Sequence, residues 1–324
     1  MAQSRVAILC AALIALLPGA GLAQTYPAKP VRMIVGFPPG GGTDILARIV
    51  AQKLSDSWGQ QVVVENRPGA SATIAANAVA HAAPDGYTLS MGQLTPNAIA
   101  PALYPKLTYD AVKDFAPIVL VGTSPNVLVV YPGLPVRSVS ELAAHAKSRP
   151  QALTYATSGA GSLQHIAAEL FKSMAGVELV HVPFKGSGQA VIDLMSGQVD
   201  MNFDSIPATI QHIRSGKLRA LAVTSARRAG GGLQEIPTIA ESGFPGYDLT
   251  TWWGLFAPAG TPNEMLERIH ADTSATLRNV ELRERLAGLA VEPGSGTRSD
   301  FADYVRREIA KYDKLVKQLG IKAE

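Results

Sequence analysis

The chain has 324 residues, 47% hydrophobic and 17% charged, enough to bury the core of one large or two ordinary domains. A formal net charge of only +3 is too mild to suggest a nucleic-acid partner. The single cysteine, Cys10, lies in an apolar N-terminal stretch, so the remainder of the chain offers neither disulfide nor thiol chemistry.

Arg5, the apolar run Val6–Leu17 and the small-residue site Gly21-Leu22-Ala23 read as a secretory signal over residues 1–23, cleaved after Ala23. The run is too short to cross a bilayer as a helix, and no later run is long enough. Leu9 before Cys10 is a poor residue for a lipid-attachment site. Removing Arg5 leaves 28 basic residues against 26 acidic ones. The mature protein is therefore expected to be exported and soluble.

Val31–Val35 is an apolar run long enough for one buried strand. Phe37-Pro38-Pro39-Gly40-Gly41-Gly42 breaks it, and Thr43-Asp44 offers a cap and an acidic first turn to a helix carrying Ile45, Leu46, Ile49, Val50 and Leu54. Glycines let backbone approach a ligand, and the unpaired N–H groups of a helix start, with its dipole, favour an anion. A tight strand-to-helix turn with no ligand fits the same residues.

Strands at Gln61–Glu65 and Tyr87–Met91 flank an alanine-rich helix at Ser71–Ala82, a β-α-β-α-β order that implies parallel sheet with helices on its faces. Phe115–Val121 is another apolar run, and a second alternation begins at Val127–Tyr131. Ser138 and Glu141 form a capping box for a helix through Lys147. A strand at Leu153–Ala156 leads into a second glycine loop, Ser158-Gly159-Ala160-Gly161-Ser162, and then into an amphipathic helix closed by Gly176. Leu179–Val182, Gln189–Ser196, Val199–Phe203, Pro207–Ser215 and Leu218–Val223 continue the alternation. Beyond it come an aromatic strand at Trp252–Ala257 and a helix opened by a capping box at Thr261-Pro262-Asn263-Glu264. A strand at Leu289–Glu292 and a last helix carrying Phe301, Val305, Tyr312 and Val316 complete the chain.

The two glycine loops are alike, each between a strand and an amphipathic helix, and neither contains lysine or arginine. Facing each other across a cleft, they would offer two anion sites built from neutral donors. Gly159-Ala160-Gly161 opens like a dinucleotide fingerprint, but Gln164 stands where its third glycine would be. No P-loop and no G-x-S-x-G elbow occurs. His165 and Glu169, one helical turn apart, suit either an acid–base or metal role or a structural pair. Asp44 and Arg48 are spaced for an ion pair. Asp204, at the end of a buried strand, is a turn carboxylate or a partner for a ligand's amine or hydroxyl. Trp252-Trp253 suits core or hinge packing, or a ligand platform.

These loops, in this order behind a signal, resemble the substrate-binding receptors of the tripartite tricarboxylate transporter system, the Bug family of periplasmic solute receptors. The resemblance is carried by Gly36-Phe37-Pro38-Pro39-Gly40-Gly41-Gly42-Thr43-Asp44 with Arg48 and by Val64-Glu65-Asn66-Arg67-Pro68-Gly69-Ala70. It continues in Pro84-Asp85-Gly86-Tyr87-Thr88-Leu89, Ser158-Gly159-Ala160-Gly161-Ser162 with His165, and Val182-Pro183-Phe184-Lys185-Gly186. Leu218–Thr224 and Trp253-Gly254-Leu255-Phe256-Ala257-Pro258 complete it, so that it covers nearly all of the mature chain. The chain departs from the family pattern at Leu94 and Pro96, where small polar residues are usual.

The resemblance implies an α/β, two-domain periplasmic binding protein of type II, the Venus-flytrap, with two crossover segments and a ligand cleft between domains. Domain 1 is expected over 24–124 and 249–324, and domain 2 over 125–248. It implies a non-enzymatic periplasmic receptor, acting as a monomer without metal or cofactor, for a small carboxylate: a di- or tricarboxylate, an acidic amino acid or an aromatic acid. The partner would be the membrane subunits of a tripartite tricarboxylate-type transporter; a sensor kinase is the alternative partner, and a secreted hydrolase or isomerase the alternative class. By position, Phe37, Pro38, Pro39, Gly40, Gly41, Gly42, Thr43 and Asp44 would hold one carboxylate. Ser158, Gly159, Ala160, Gly161, Ser162 and His165 would hold other ligand groups from the facing domain, and Thr95 and Asp204 would line the cleft. Gly41 and Gly161 are expected to be the positions where an added side chain does most harm.

The mature N-terminus is expected at Gln24, so mass spectrometry of the exported protein should find a chain lacking residues 1–23.

Overall fold

The computed structural model describes residues 26–322. The signal at 1–23 and Cys10 lie outside the described residues.

Strand β1 (Val31–Val35) runs parallel to β2 (Val62–Asn66) on one side and to β3 (Thr88–Gln93) on the other. Side chains of a strand alternate between faces. Val31, Met33 and Val35 accordingly pack with Leu46, Val50 and Leu54 of helix α1 (Gly42–Trp58). Ile34 joins the opposite core with Ala75, Ala76 and Val79 of α2 (Thr73–Ala80). The sheet is thus covered on both faces, as parallel strands require. Gly59 closes α1 in a left-handed conformation.

The alanine-rich helix begins two residues later than the sequence suggests. Ala70, Ser71 and Ala72 all have positive φ (45°, 51° and 71°). Such angles are uncommon outside glycine. Ser71 is held there by donating its hydroxyl to Ala160 O at 2.5 Å. After β3, a π-helical turn (Thr95–Ile99) and a short helix α3 (Ala100–Leu103) lead to β4.

β4 (Phe115–Val130) is the longest strand described, 16 residues where the sequence reads two separate runs. Gly122 and Pro125 look like breakers, but each has a use within the strand. A Cβ at Gly122 would lie 2.8 Å from Glu292 O, where the short β10 (Glu292–Pro293) pairs. Pro125, with no N–H to donate, falls where β4 changes partners. From Phe115 to Pro125 it pairs antiparallel with β9 (Thr250–Pro258), which also pairs with β3. From Asn126 to Val130 it pairs with β7 (Met201–Ser205) and β8 (Arg219–Val223).

The second group of strands is filled out by β5 (Thr154–Thr157), parallel to both β6 (Val180–Pro183) and β7. Its helices are α4 (Val139–Ser148), α5 (Leu163–Ala175), α6 (Ser187–Ser196) and α7 (Ile206–Arg214). Helices α8 (Asn263–Arg278), α9 (Val280–Ala287) and α10 (Arg298–Leu319) follow β9. Phe301, Val305, Tyr312 and Val316 of α10 pack into the core that holds Ile34.

Two sequence readings are corrected here. Thr261 does not cap α8, because its hydroxyl donates to Pro258 O at 2.8 Å instead; a reciprocal capping box forms at α10, between Thr297 and Asp300. The strand at Leu289–Glu292 shrinks to Glu292–Pro293, because Ala290 takes a left-handed turn (φ 55°).

The polypeptide passes between the two strand groups at Pro125-Asn126 and again at Leu249-Thr250, and Thr224 ties the two passages together. Its hydroxyl accepts from Asn126 N at 2.9 Å and donates to Leu249 O at 2.7 Å. Its amide bonds to Asn126 O, and its carbonyl accepts from Leu249 N. The residue is fully buried. Thr224→Val keeps the shape but strips partners from buried backbone groups, which costs about 1–3 kcal/mol. Urea denaturation should show a midpoint lowered to match.

Candidate functional site

A cavity of about 40 Å³ lies where the two strand groups face each other. It is lined by Phe37, Gly41, Gly42, Thr43, Gln93, Thr95, Asn126, Ser158, Leu163, Gln164, Ser187, Ser205, Thr251 and Trp253. None of these side chains titrates in the ordinary range. The volume corresponds to about three water molecules at roughly 10–15 Å³ of probe space each. The space left between the walls is therefore small.

Four helices begin at this cavity. Gly42 and Thr43 open α1, Leu163 and Gln164 open α5, and Ser187 opens α6, while Ser205 is the residue before α7. The first N–H groups of a helix have no partner inside it, and the helix dipole adds about half a positive charge at that end. Gly41 and Ser205 make no side-chain cap, so the starts of α1 and α7 are not closed by their own residues. The result is a site of positive potential made without any lysine or arginine.

The first loop divides its labour. Gly41, Gly42 and Thr43 face the cavity. Trp253 donates its indole N–H to Thr43 Oγ1 at 3.0 Å, which leaves the threonine proton free to donate elsewhere. Asp44 turns away from the cavity: its carboxylate accepts from Arg48, from Asn66 Nδ2 at 2.8 Å and from Gly40 N at 3.0 Å. Burial opposes the Asp44 charge, but these donors outweigh it and hold the carboxyl below its usual range. Gly40 is thereby spent on the loop itself. Pro38 and Pro39 reach across to α6, where a Cβ added to Gly186 would lie 2.5 Å from Pro38 Cδ and one added to Gly188 would lie 3.3 Å from Pro39 O.

In the second loop only Ser158 lines the cavity. The Gly159 amide bonds to Thr157 Oγ1 and the Gly161 amide to His165 Nδ1, while Ser162 caps His165 N. Ala160 O accepts from Ser71 and Tyr104 of the other strand group. The two glycines have positive φ, 126° and 75°, and a Cβ on Gly161 would lie 2.5 Å from Leu103 Cδ1. They serve the approach of the two groups of elements to each other. His165 stacks on His181 at 4.3 Å between ring centres, outside the cavity. Burial and the neighbouring His181 lower its pKa to about 4, so at neutral pH it is an uncharged imidazole that accepts from the loop.

Asp204 also stands behind the wall. It is 0% exposed and accepts from Ser187 Oγ (2.7 Å), Gln164 Nε2 (2.8 Å), Ser205 N (2.7 Å) and Asn202 Nδ2 (3.0 Å). Burial pushes its carboxyl upward, against these bonds. Gln164 in turn accepts from Ser158 N at 2.7 Å. Asp204 therefore fixes the orientation of two cavity groups and leaves them to face the cavity.

Gln164, Ser187, Ser205 and Asn126 are cavity residues that the sequence does not mark, whereas Trp253, which suits a ligand platform by sequence, does line the cavity. The signal that could have found Ser187 and Ser205 was their place just after a strand and just before a helix, the same place as the glycine loops. Thr95 lines the cavity as expected, and its amide donates to Gln93 Oε1. Leu94 is fully buried, so its departure from small polar residues is absorbed by the core.

The shared strand, the two passages and the cleft between them define a two-domain periplasmic binding protein fold. The model of the tripartite tricarboxylate transporter family receptor matches residues 46–321, and the chain belongs to that family. The BugT protein of Bordetella pertussis is 38% identical over 301 residues, covering 93% of this chain and 92% of its own length. Among solved structures, the R. palustris protein Rpa4515 with adipate has a TM-score of 0.90 and 39% identity, covering 92% of this chain and all of its own. MatC from Rhodopseudomonas palustris with bound malate has a TM-score of 0.85 and 35% identity, covering 90% of this chain and all of its own.

Gly42 is one of the glycines at which the two strand groups approach each other. A Cβ there would lie 2.6 Å from Ser205 Oγ and 3.2 Å from Ser205 Cβ, across the cleft. Gly41, the position expected from sequence, has an ordinary φ of −78° and nothing nearer than 3.8 Å. Small-angle scattering should find Gly42→Val more extended than wild type and Gly41→Ala unchanged, with both as stable as the parent in thermal melts.

Proposed function

We propose that this chain is a non-catalytic receptor that closes over a small carboxylate and passes it to the membrane subunits of a tripartite tricarboxylate-type transporter. The observation that carries this reading is the convergence of four helix starts on one cleft. A ligand with a negative charge gains from every one of them, while a neutral ligand gains only hydrogen bonds. The adipate and malate held by the two similar structures support the same class of ligand.

The closing units are residues 24–124 with 249–324, and residues 125–248. The cleft between them is lined from both sides, so a ligand bound to α1 on one side and to Gln164, Ser187 and Ser205 on the other favours the closed arrangement by its contacts to both. Phe37, Gly41, Gly42, Thr43, Thr95 and Ser158 touch the ligand. Asp44, His165 and Asp204 hold the loops that do so. Catalysis would need an acid, base or nucleophile at the ligand, and the cavity walls supply neutral amides, hydroxyls and rings. The receptor works in the periplasm after removal of its signal. No helix among the described residues is long and apolar enough to cross a membrane, so docking to the membrane subunits falls to the surface of the folded units.

A short carboxylate at 100 times its Kd should stabilise the protein by about 2.7 kcal/mol, visible as a rise in melting temperature. The corresponding amide should give little or no shift, because it brings no charge to the helix starts. Equal shifts for acid and amide would contradict the reading.

A further inference from the structure

The cavity is rich in donors and poor in acceptors. Four helix starts and the hydroxyl of Thr43 can donate to a ligand, while the Ser187 hydroxyl is spent on Asp204. The carboxylate nearest the wall, Asp204, has its oxygens engaged by four donors and is sealed from the cavity. Asn126 is different. It lines the cavity and is only 3% exposed. Its amide nitrogen donates to Phe203 O at 2.8 Å, which fixes which way the side chain is turned. Its Oδ1 is buried and has no hydrogen-bond partner among the described residues. A buried polar atom left unpaired costs about 1–3 kcal/mol, so such an atom at a ligand cavity marks an interaction that the ligand completes. Asn202 Oδ1 is also unpartnered, but Asn202 does not line the cavity.

We infer that Asn126 Oδ1 accepts a hydrogen bond from a hydroxyl group on the ligand, and that this receptor selects hydroxycarboxylates over the unsubstituted acids of the same chain length. The inference rests on the carboxylate reading above and names the ligand class within it. A hydroxyl fits better than an ammonium on chemical grounds. Asn126 Oδ1 is one neutral acceptor, and a hydroxyl brings one donor. An ammonium brings three donors and a positive charge to a place where four helix starts already supply positive potential and where no anion is open to it. A site built to bond a hydroxyl also rejects the analogue that lacks it, because the acceptor is then left buried and unpaired.

The position of Asn126 gives the bond a second consequence. Its backbone N–H and C=O are both bonded to Thr224, which in turn holds Leu249. The acceptor therefore sits on the passage between the two lobes, where a bond to the ligand acts on the closed arrangement directly.

The test is calorimetric titration of ligand-stripped protein with three matched pairs: succinate and malate, glutarate and 2-hydroxyglutarate, adipate and 2-hydroxyadipate, each hydroxy acid as separate enantiomers, together with aspartate. For at least one chain length the wild type should bind one hydroxy acid at least tenfold more tightly than its parent, a difference of about 1.4 kcal/mol. Asn126→Leu should bring the pair to within about twofold while retaining the parent acid, and melting curves will show whether that variant is folded. The wild-type ratios need no variant, so they decide the matter if Asn126→Leu fails to fold. Parent and hydroxy acids bound equally by the wild type would overturn the inference and leave the carboxylate reading standing; Oδ1 would then hold only an ordered water. Aspartate bound as tightly as malate would overturn the choice of hydroxyl. Failure of every acid to bind would overturn the carboxylate reading and this inference with it.

Discussion

One strand serves two sheets, and the rest of the molecule follows from that. β4 is paired with β9 up to Pro125 and with β7 and β8 from Asn126 onward. The two sets of strands are therefore fixed relative to each other by continuous backbone, not by side-chain packing alone. The second passage, at Leu249-Thr250, is held beside the first by the buried Thr224. Two passages bonded through a single residue form a hinge about which the proposed closure would turn.

The same arrangement explains why the cavity is chemically unusual. In open α/β sheets, helices begin at the carboxyl ends of strands, and those ends form the ligand crevice. With two such sheets facing each other, helix starts from both sides meet: α1 from one, α5, α6 and α7 from the other. Positive potential is then produced by backbone alone. Backbone donors are held rigidly and need no flexible side chain to be ordered, so holding an anion there would cost little side-chain entropy. A lysine or arginine would bind an anion more strongly in each lobe separately.

The polar residues behind the wall set this geometry and do not themselves reach the cavity. Asp44 ties the first loop to Arg48 and Asn66, His165 accepts from the second loop as a neutral ring, and Asp204 orients Gln164 and Ser187. The family resemblance, by position, made each a candidate ligand contact, and none of the three lines the cavity. The glycines of the second loop are likewise used for the contact between lobes, where Gly161 meets Leu103 and Ala160 O meets Ser71.

What the sequence determined by itself was the local order. The alternation of Val31, Met33 and Val35 against Ile34, and the spacing of Leu46, Val50 and Leu54, are period-two and helical patterns that need no partner to be read. The left-handed stops at Gly59, Gly176 and Gly197 were legible for the same reason, because only glycine takes that conformation freely. Phe37–Asp44, Ser158–Ser162 and the motifs around them also carried the family. Tertiary structure alone decided that the runs around Phe115 and Val127 are one strand, since Pro125 is tolerated only because β4 changes partners there. It alone brought Asn126, Gln164, Ser187, Ser205 and Trp253 to one cavity. These residues come from positions spread over 128 residues, from 126 to 253, and no local pattern records which strand ends will face each other. That is fixed by the register of long-range pairing, a property of the folded chain and not of any one segment.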